Sequence, residues 1–211
     1  MALLYRADLT PSKLELLASW LPGRAWYHGP AGAAIERVAA CRFDDPAGKV
    51  GVETILVRPG DGPIYHTPLT YREAPLAGAE AWLLGTSEHS VLGTRWVYDA
   101  CGDPVYAAAV AAAIFTGGHE AEEFIQAEDG QRQRREPAMT VRGSGVPDAS
   151  VPAVTAIRSV ADGDPARVVT DAVELAVVRG VEMQRQGGGA MLTGSWPGQE
   201  TPVLLAYEVA A

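Results

Sequence analysis

Ile35-Glu-Arg-Val-Ala-Ala-Cys-Arg-Phe-Asp-Asp-Pro-Ala-Gly-Lys-Val-Gly-Val-Glu-Thr-Ile-Leu-Val57 decides the fold. Two runs rich in apolar and β-branched residues, Ile35 to Phe43 and Val50 to Val57, flank Asp44-Asp45-Pro46-Ala-Gly48. Asp, Pro and Gly in that order favour a tight turn, so the flanking runs read as strands. A third run, Ile64 to Tyr71, follows the breaker Pro59-Gly-Asp-Gly-Pro63. Three successive strands on short turns predict an antiparallel meander, because a parallel crossover needs far more chain.

Upstream, Ala2 to Tyr5 reads as a first strand. Leu14, Leu16, Leu17, Trp20 and Leu21 then recur at roughly helical spacing after Thr10-Pro11-Ser12, with Thr10 as the expected cap and Pro11 in the first turn. Pro22-Gly23 stops that helix. The stop opens Trp20-Leu-Pro-Gly-Arg-Ala-Trp-Tyr-His-Gly29, which concentrates three large aromatics, an arginine and a histidine in one turn. Trp20 and Trp26 read as anchors that bury large apolar areas. Arg24, Tyr27 and His28 are candidates for a recognition edge supported by those anchors.

Downstream, Glu80 to Leu84 reads as a short helical turn and Thr94 to Tyr98 as a strand. Pro104 to Phe115 is an alanine-rich helix capped by Asp103, and a further helix is expected from His119 to about Asp129. Between residues 128 and 150 the chain turns to Gln131-Arg-Gln-Arg-Arg-Glu-Pro137 and Gly143-Ser-Gly-Val-Pro147, which is linker chemistry. Beyond it Val154 to Val160, Arg167 to Val169, Val173 to Val178, Met191 to Trp196 and Pro202 to Tyr207 read as strands. Turns at Asp162-Gly-Asp-Pro165, Gly187-Gly-Gly189 and Pro197-Gly198 separate them. The expected fold class is α+β: a mainly antiparallel sheet with flanking helices over 1–127, a linker over 128–150 and a small mostly-β module over 151–211.

With 211 residues the chain can bury a real core without staples. Its 47% hydrophobic and 20% charged residues are ordinary for a soluble globular protein, and no apolar run approaches a membrane span. No signal-peptide pattern opens the sequence, so a cytoplasmic location is expected. Cys41 and Cys101 have neither pairing nor metal spacing and read as reduced thiols. The formal net charge of −9 repels phosphate backbones and anionic lipid, which sets nucleic acid and membrane aside as partners. Lys13 and Lys49 are the only lysines; together with the abundant alanine this points to a GC-rich bacterial genome.

The chemical motifs are mostly negative. Gly48-Lys49 lacks the upstream glycine and following hydroxyl of a phosphate loop, and Gly187-Gly-Gly189 has no nearby lysine. None of His28, His66, His89 and His119 precedes an aspartate at the spacing of a kinase catalytic loop. His119-Glu-Ala-Glu-Glu123 lacks the second histidine of a zinc helix. No cofactor or metal is expected. The richest polar block is Glu88-His-Ser-Val-Leu-Gly-Thr-Arg-Trp-Val-Tyr-Asp99. Alternation puts Arg95, Val97 and Asp99 on one strand face and Trp96 and Tyr98 on the other, with Glu88 and His89 on the entering loop. This arrangement permits a cross-strand ion pair that ties the loop to the sheet, or a polar site.

The block Leu9 to Tyr27, the strand Tyr65-His-Thr-Pro-Leu-Thr-Tyr-Arg72 and the block Glu88 to Asp99 followed by Asp103-Pro-Val together resemble the N-terminal cap of actinobacterial maltokinases. They are more similar still to its stand-alone relatives, often labelled glucan-branching proteins. The resemblance covers residues 1 to about 127. More weakly, Val173 to Arg179, Leu192 to Gln199 and Pro202 to Ala206 are similar to the sheet that follows the cap in those kinases. The resemblance implies a cap that precedes a nucleotide-binding lobe and a catalytic lobe using ATP and magnesium on maltose. No family catalytic residue maps onto this chain. In the C-terminal strands only Arg179 and Arg185 stand where a strand lysine is needed, and arginine replaces it poorly.

Three functions follow as expectations. The first is a non-catalytic cap-like protein that binds an α-glucan or trehalose metabolic enzyme or a kinase, through the aromatic turn and the Glu88–Asp99 block. The second is a sugar or nucleotide sensor in which Trp26, Trp96, Tyr98 and Trp196 stack on pyranose faces while Arg95 and Asp99 bond hydroxyls. A residual sugar phosphotransferase is the third and least supported, for want of a recognisable acid–base set. Homodimerisation through an unpaired sheet edge is a further expectation.

Overall fold

In chain order the strands are β1 (Ala2–Tyr5), β2 (Leu9–Thr10), β3 (Ile35–Phe43), β4 (Gly51–Pro59), β5 (Tyr65–His66), β6 (Leu69–Arg72), β7 (Leu83–His89) and β8 (Gly93–Asp99). They continue with β9 (Glu123–Gln126), β10 (Arg132–Arg135), β11 (Thr140–Gly143), β12 (Ile157–Ala161), β13 (Ala166–Thr170), β14 (Glu174–Val177), β15 (Met191–Trp196) and β16 (Gln199–Glu208). The helices are α1 (Lys13–Trp20) and α2 (Pro104–Thr116). This computed structural model describes residues 2–5, 7–30, 32–126, 131–182 and 188–210.

The strands form a central sheet in the order β2-β7-β8-β6-β4-β3, with β5 paired to β4, a six-stranded sheet β11-β15-β16-β14-β13-β12, and a small sheet β1-β9-β10. Pairing is antiparallel throughout except for β1 beside β9. The expected sheet-rich, mainly antiparallel architecture is present, whereas among the described residues α-helix is confined to α1 and α2, less than an α+β reading anticipates.

Composition explains the layering. α2, Pro-Val-Tyr-Ala-Ala-Ala-Val-Ala-Ala-Ala-Ile-Phe-Thr, is apolar around its circumference, the signature of a helix buried on more than one side. Tyr106, Ala107, Val110, Ala111 and Ile114 share one core with Ala39, Cys41, Val52 and Leu56 of the central sheet and Val168, Leu175, Leu192 and Leu205 of the six-stranded sheet. α2 is therefore sandwiched between two sheets. Asp103 caps it through Val105 N at 2.9 Å and holds Arg72 of β6 in a fork with both bonds at 2.7 Å. Gly117 ends it in the left-handed region, φ 68°, where glycine carries no Cβ penalty. The other face of the central sheet carries Ile55, Val57, Leu69 and Val97 and is covered by Leu16, Leu17, Leu21 and Trp26.

Several local expectations are corrected. Ser12, not Thr10, caps α1: its hydroxyl accepts from Glu15 N and the Glu15 carboxylate accepts from Ser12 N at 2.7 Å, while Thr10 lies in β2. The helix expected over His119 to Asp129 is absent where the chain is described; Glu123–Gln126 is a strand between β1 and β10, and residues 127–129 lie outside the described residues. Pairing with both neighbours outweighs the weak helical pattern of that acidic segment. The run Ile64 to Tyr71 is split at Thr67-Pro68, since proline has no N–H for the ladder. Arg185 and Gly187 also lie outside the described residues. Among those described, no helix is long and apolar enough to cross a membrane.

Candidate functional site

The turn that ends α1 points its rings inward. Leu21–Gly23 tighten into a 3-10 turn, after which Trp26 sinks to 6% exposure. Trp20 meets Trp26 edge-on at 6.0 Å between centroids; Trp26 lies 5.9 Å and Tyr27 5.2 Å from Tyr65 of β5. Tyr65 Oη accepts the amide N–H of His28 at 2.8 Å, so His28 is fixed by its backbone while its side chain remains exposed. Such tilted and edge contacts suit aromatic quadrupoles.

The C-terminal sheet closes over this cluster. Asp162, in the β12–β13 turn, accepts Trp26 Nε1–H at 2.6 Å and Arg24 Nη1–H at 3.2 Å. The Arg24 guanidinium lies 4.8 Å over the Trp20 ring. Arg179, two residues beyond β14, lies 4.8 Å over Trp26 and donates from Nη2 to Asp99 Oδ2 at 2.5 Å and to Cys101 Sγ at 3.3 Å. Asp164 accepts the amides of Arg179 at 2.8 Å and Gly180 at 3.1 Å. His66 of β5 completes the seam: its amide donates to Arg179 O at 2.7 Å and its Nδ1–H to Val178 O at 3.0 Å.

Electrostatics follow from burial. Desolvation opposes the Arg179 charge, yet Asp99 beside it outweighs that cost and holds the guanidinium pKa above its usual value. Desolvation, aided by Arg179, pushes His66 down to about 3 against the pull of the Val178 carbonyl, so the imidazole is neutral. Burial drives the Cys101 thiol up, which makes it a poor nucleophile. A second charged knot fixes α1: burial raises Glu53, but Lys13 and Arg42 overcome it and hold the carboxyl at about 2. Lys13 Nζ reaches both Glu53 oxygens at 2.7 Å, and Tyr71 Oη donates to the same carboxylate at 2.5 Å.

The candidate residues divide accordingly. Trp20, Arg24, Trp26 and Tyr27 converge on one seam with Asp99, which joins from β8. The expected face sharing of Arg95, Val97 and Asp99 follows from strand alternation, but the partner of Asp99 is Arg179, 80 residues away, rather than Arg95. Glu88 and His89 stand at the far end of the β7–β8 hairpin, where Glu88 Oε1 accepts from Thr94 Oγ1–H at 2.8 Å. Trp96, half-buried, is on the opposite face and pairs in register with Arg72 and Thr86. Trp26, Tyr98 and Trp196 are all at or below 7% exposure, their rings covered by protein. Sequence reasoning missed Tyr65, His66, Asp162 and Asp164; the one available signal was an arginine directly following the apolar run Val173 to Val178. Among the described residues no group of three or more His, Cys, Asp or Glu is placed to hold a metal.

The aromatic turn thus packs on the central sheet, and Asp162 and Arg179 tie it to the C-terminal strands. Residues 20–103, from the aromatic turn through β8 to the α2 cap, match the family described as the maltokinase N-terminal cap domain. Over that stretch the chain is similar to that cap domain. No curated protein matches the chain.

Proposed function

We propose that the protein is a cytoplasmic, non-catalytic cap-like accessory of maltose, trehalose or α-glucan metabolism, acting by association with a kinase or another enzyme of that metabolism. The match of residues 20–103 to the maltokinase cap carries the reading. In this proposal residues 1–127 are the cap unit and 151–211 a β module that clamps it. The seam built by Arg179 and Asp162 supports a structural role, since Arg179 pairs with Asp99, Asp162 holds Trp26 and Arg24, and burial keeps the Cys101 thiol protonated. The remainder of the candidate set, exposed His28 and Glu88 with the partly exposed His89, Arg95 and Trp96, then meets the partner. Calorimetry of the purified chain against individually purified maltose- and trehalose-metabolising enzymes tests it. A saturable complex with one of them, weakened by Arg95→Glu, is expected; no heat with any, or ATP-dependent phosphorylation of maltose by the chain alone, overturns the reading.

Binding of a small ligand is the second reading. The observation in its favour is a groove of about 390 Å³ along α2, bordered by Phe43, Pro46, Val105, Ala109 and Val154, within the range of small-molecule sites. Amide shift changes confined to α2 on titration with maltose, trehalose or nucleotides would select it.

A further inference from the structure

The β7–β8 hairpin ends in Ser90-Val-Leu-Gly93, and it exposes two large apolar side chains, Val91 at 54% and Leu92 at 41%. Above the last ladder pair, His89 with Gly93, the two apex amides share one ring nitrogen. His89 Nδ1 accepts the amide N–H of Val91 at 3.2 Å and of Leu92 at 3.1 Å. A ring nitrogen that accepts two N–H groups carries no proton, so the tip requires the neutral imidazole with hydrogen on Nε2. The base of the tip is separately pinned, Ser90 N donating to Asp8 O and Asp8 N to Ser90 Oγ, each at 3.0 Å.

We infer that His89 is a proton-operated lock on the hairpin tip, which orders Val91 and Leu92 near neutral pH and releases them on acidification. Protonation of Nδ1 replaces an acceptor with a donor aimed at two other donors, so both bonds are lost together. Partial burial, then Arg95 of β8 and Arg42 of β3, push its pKa below the ordinary histidine value, against a hydrogen bond to its own backbone that raises it. Glu88 on the same strand is engaged by Thr94, and Asp8 contributes backbone to the base of the tip. A histidine with a depressed folded pKa contributes its order above the unfolded value, near 6.5, and loses it as pH falls through the folded one.

Nitrogen–proton NMR of the full chain between pH 7.5 and 4.5 tests the lock without any partner. In the wild type the Val91 and Leu92 amide shifts are expected to follow the His89 ring titration, with protection factors falling about tenfold across it. His89→Asn offers a side-chain oxygen to the same amides and does not titrate; it is expected to keep their protection and abolish the pH dependence. His89→Phe removes the acceptor and lowers protection at every pH. Tip amides that ignore the His89 titration, or an Asn variant that retains the wild-type pH dependence, overturn the inference.

Discussion

Arg179 Nη2 stands 2.5 Å from Asp99 Oδ2 with both side chains 1% exposed, and this buried pair joins the last strand of the cap to the C-terminal sheet. Removing one member leaves the other charged and unsolvated, which costs about 3 to 5 kcal/mol. Arg179→Met and Asp99→Leu should each lower the unfolding free energy from urea titration by that amount, whereas the double variant should recover much of the loss. A double-mutant cycle with additive losses would show that the pair is not coupled.

Trp26 holds Asp162 through Nε1 at 2.6 Å and also offers its ring to Arg179. Trp26→Phe keeps a ring and deletes the donor, so a loss of about 1 to 2 kcal/mol is expected from the lost hydrogen bond to the Asp162 carboxylate. Arg24→Gln should cost under about 1 kcal/mol, because Arg24 and Asp162 are each 25% exposed and screened. Thermal denaturation of the two variants in parallel checks that order.

Acid should loosen the seam before it unfolds the rest. His66 is held down at about 3 in the folded chain, so its stabilisation is complete above the unfolded value near 6.5 and drains as pH falls toward 3. Glu53, depressed to about 2, joins only below its unfolded value of about 4.5. Between pH 6.5 and 4.5 the wild type should lose roughly 2 kcal/mol that His66→Asn does not lose, with His89 adding a smaller drift of the same sign. Chemical denaturation at four pH values across that window decides it.

Gly143 of β11 lies against the carbonyl end of α2, where an added Cβ meets the backbone oxygen of Ala113. Gly143→Ala must push the strand from the helix and should cost at least about 2 kcal/mol. Gly198→Ala meets no neighbouring atom and strains only a positive φ of 86°, for about 1 kcal/mol. Equal melting temperatures for the two variants would contradict the close helix–strand approach.

Local chemistry made much of the fold legible. The breakers at Asp44-Asp45-Pro46 and Pro59-Gly60 bound β3 and β4 close to where the residues indicated, and Asp103-Pro104 opens α2. The segments read least well lacked apolar alternation. Leu83-Leu-Gly-Thr-Ser-Glu-His89 and Arg132-Gln-Arg-Arg135 became strands only because neighbours supplied a ladder, and the acidic stretch after His119 changed class for the same reason. The candidate site was legible as a cluster of residue types, but not as a direction: the aromatics of Trp20 to Tyr27 face a partner sheet instead of solvent.

What the amino-acid order determined by itself was a set of strands, two helices and a dense aromatic turn, since turn residues, caps and apolar spacing act within a few positions along the chain. Which surface covers that turn was decided by tertiary structure alone. Asp162 lies 136 residues from Trp26, and Arg179 lies 80 residues from Asp99. No local pattern encodes such a pairing; it exists because the core around α2 brings the C-terminal strands beside the central sheet, and the charges buried at that junction then find one another across it.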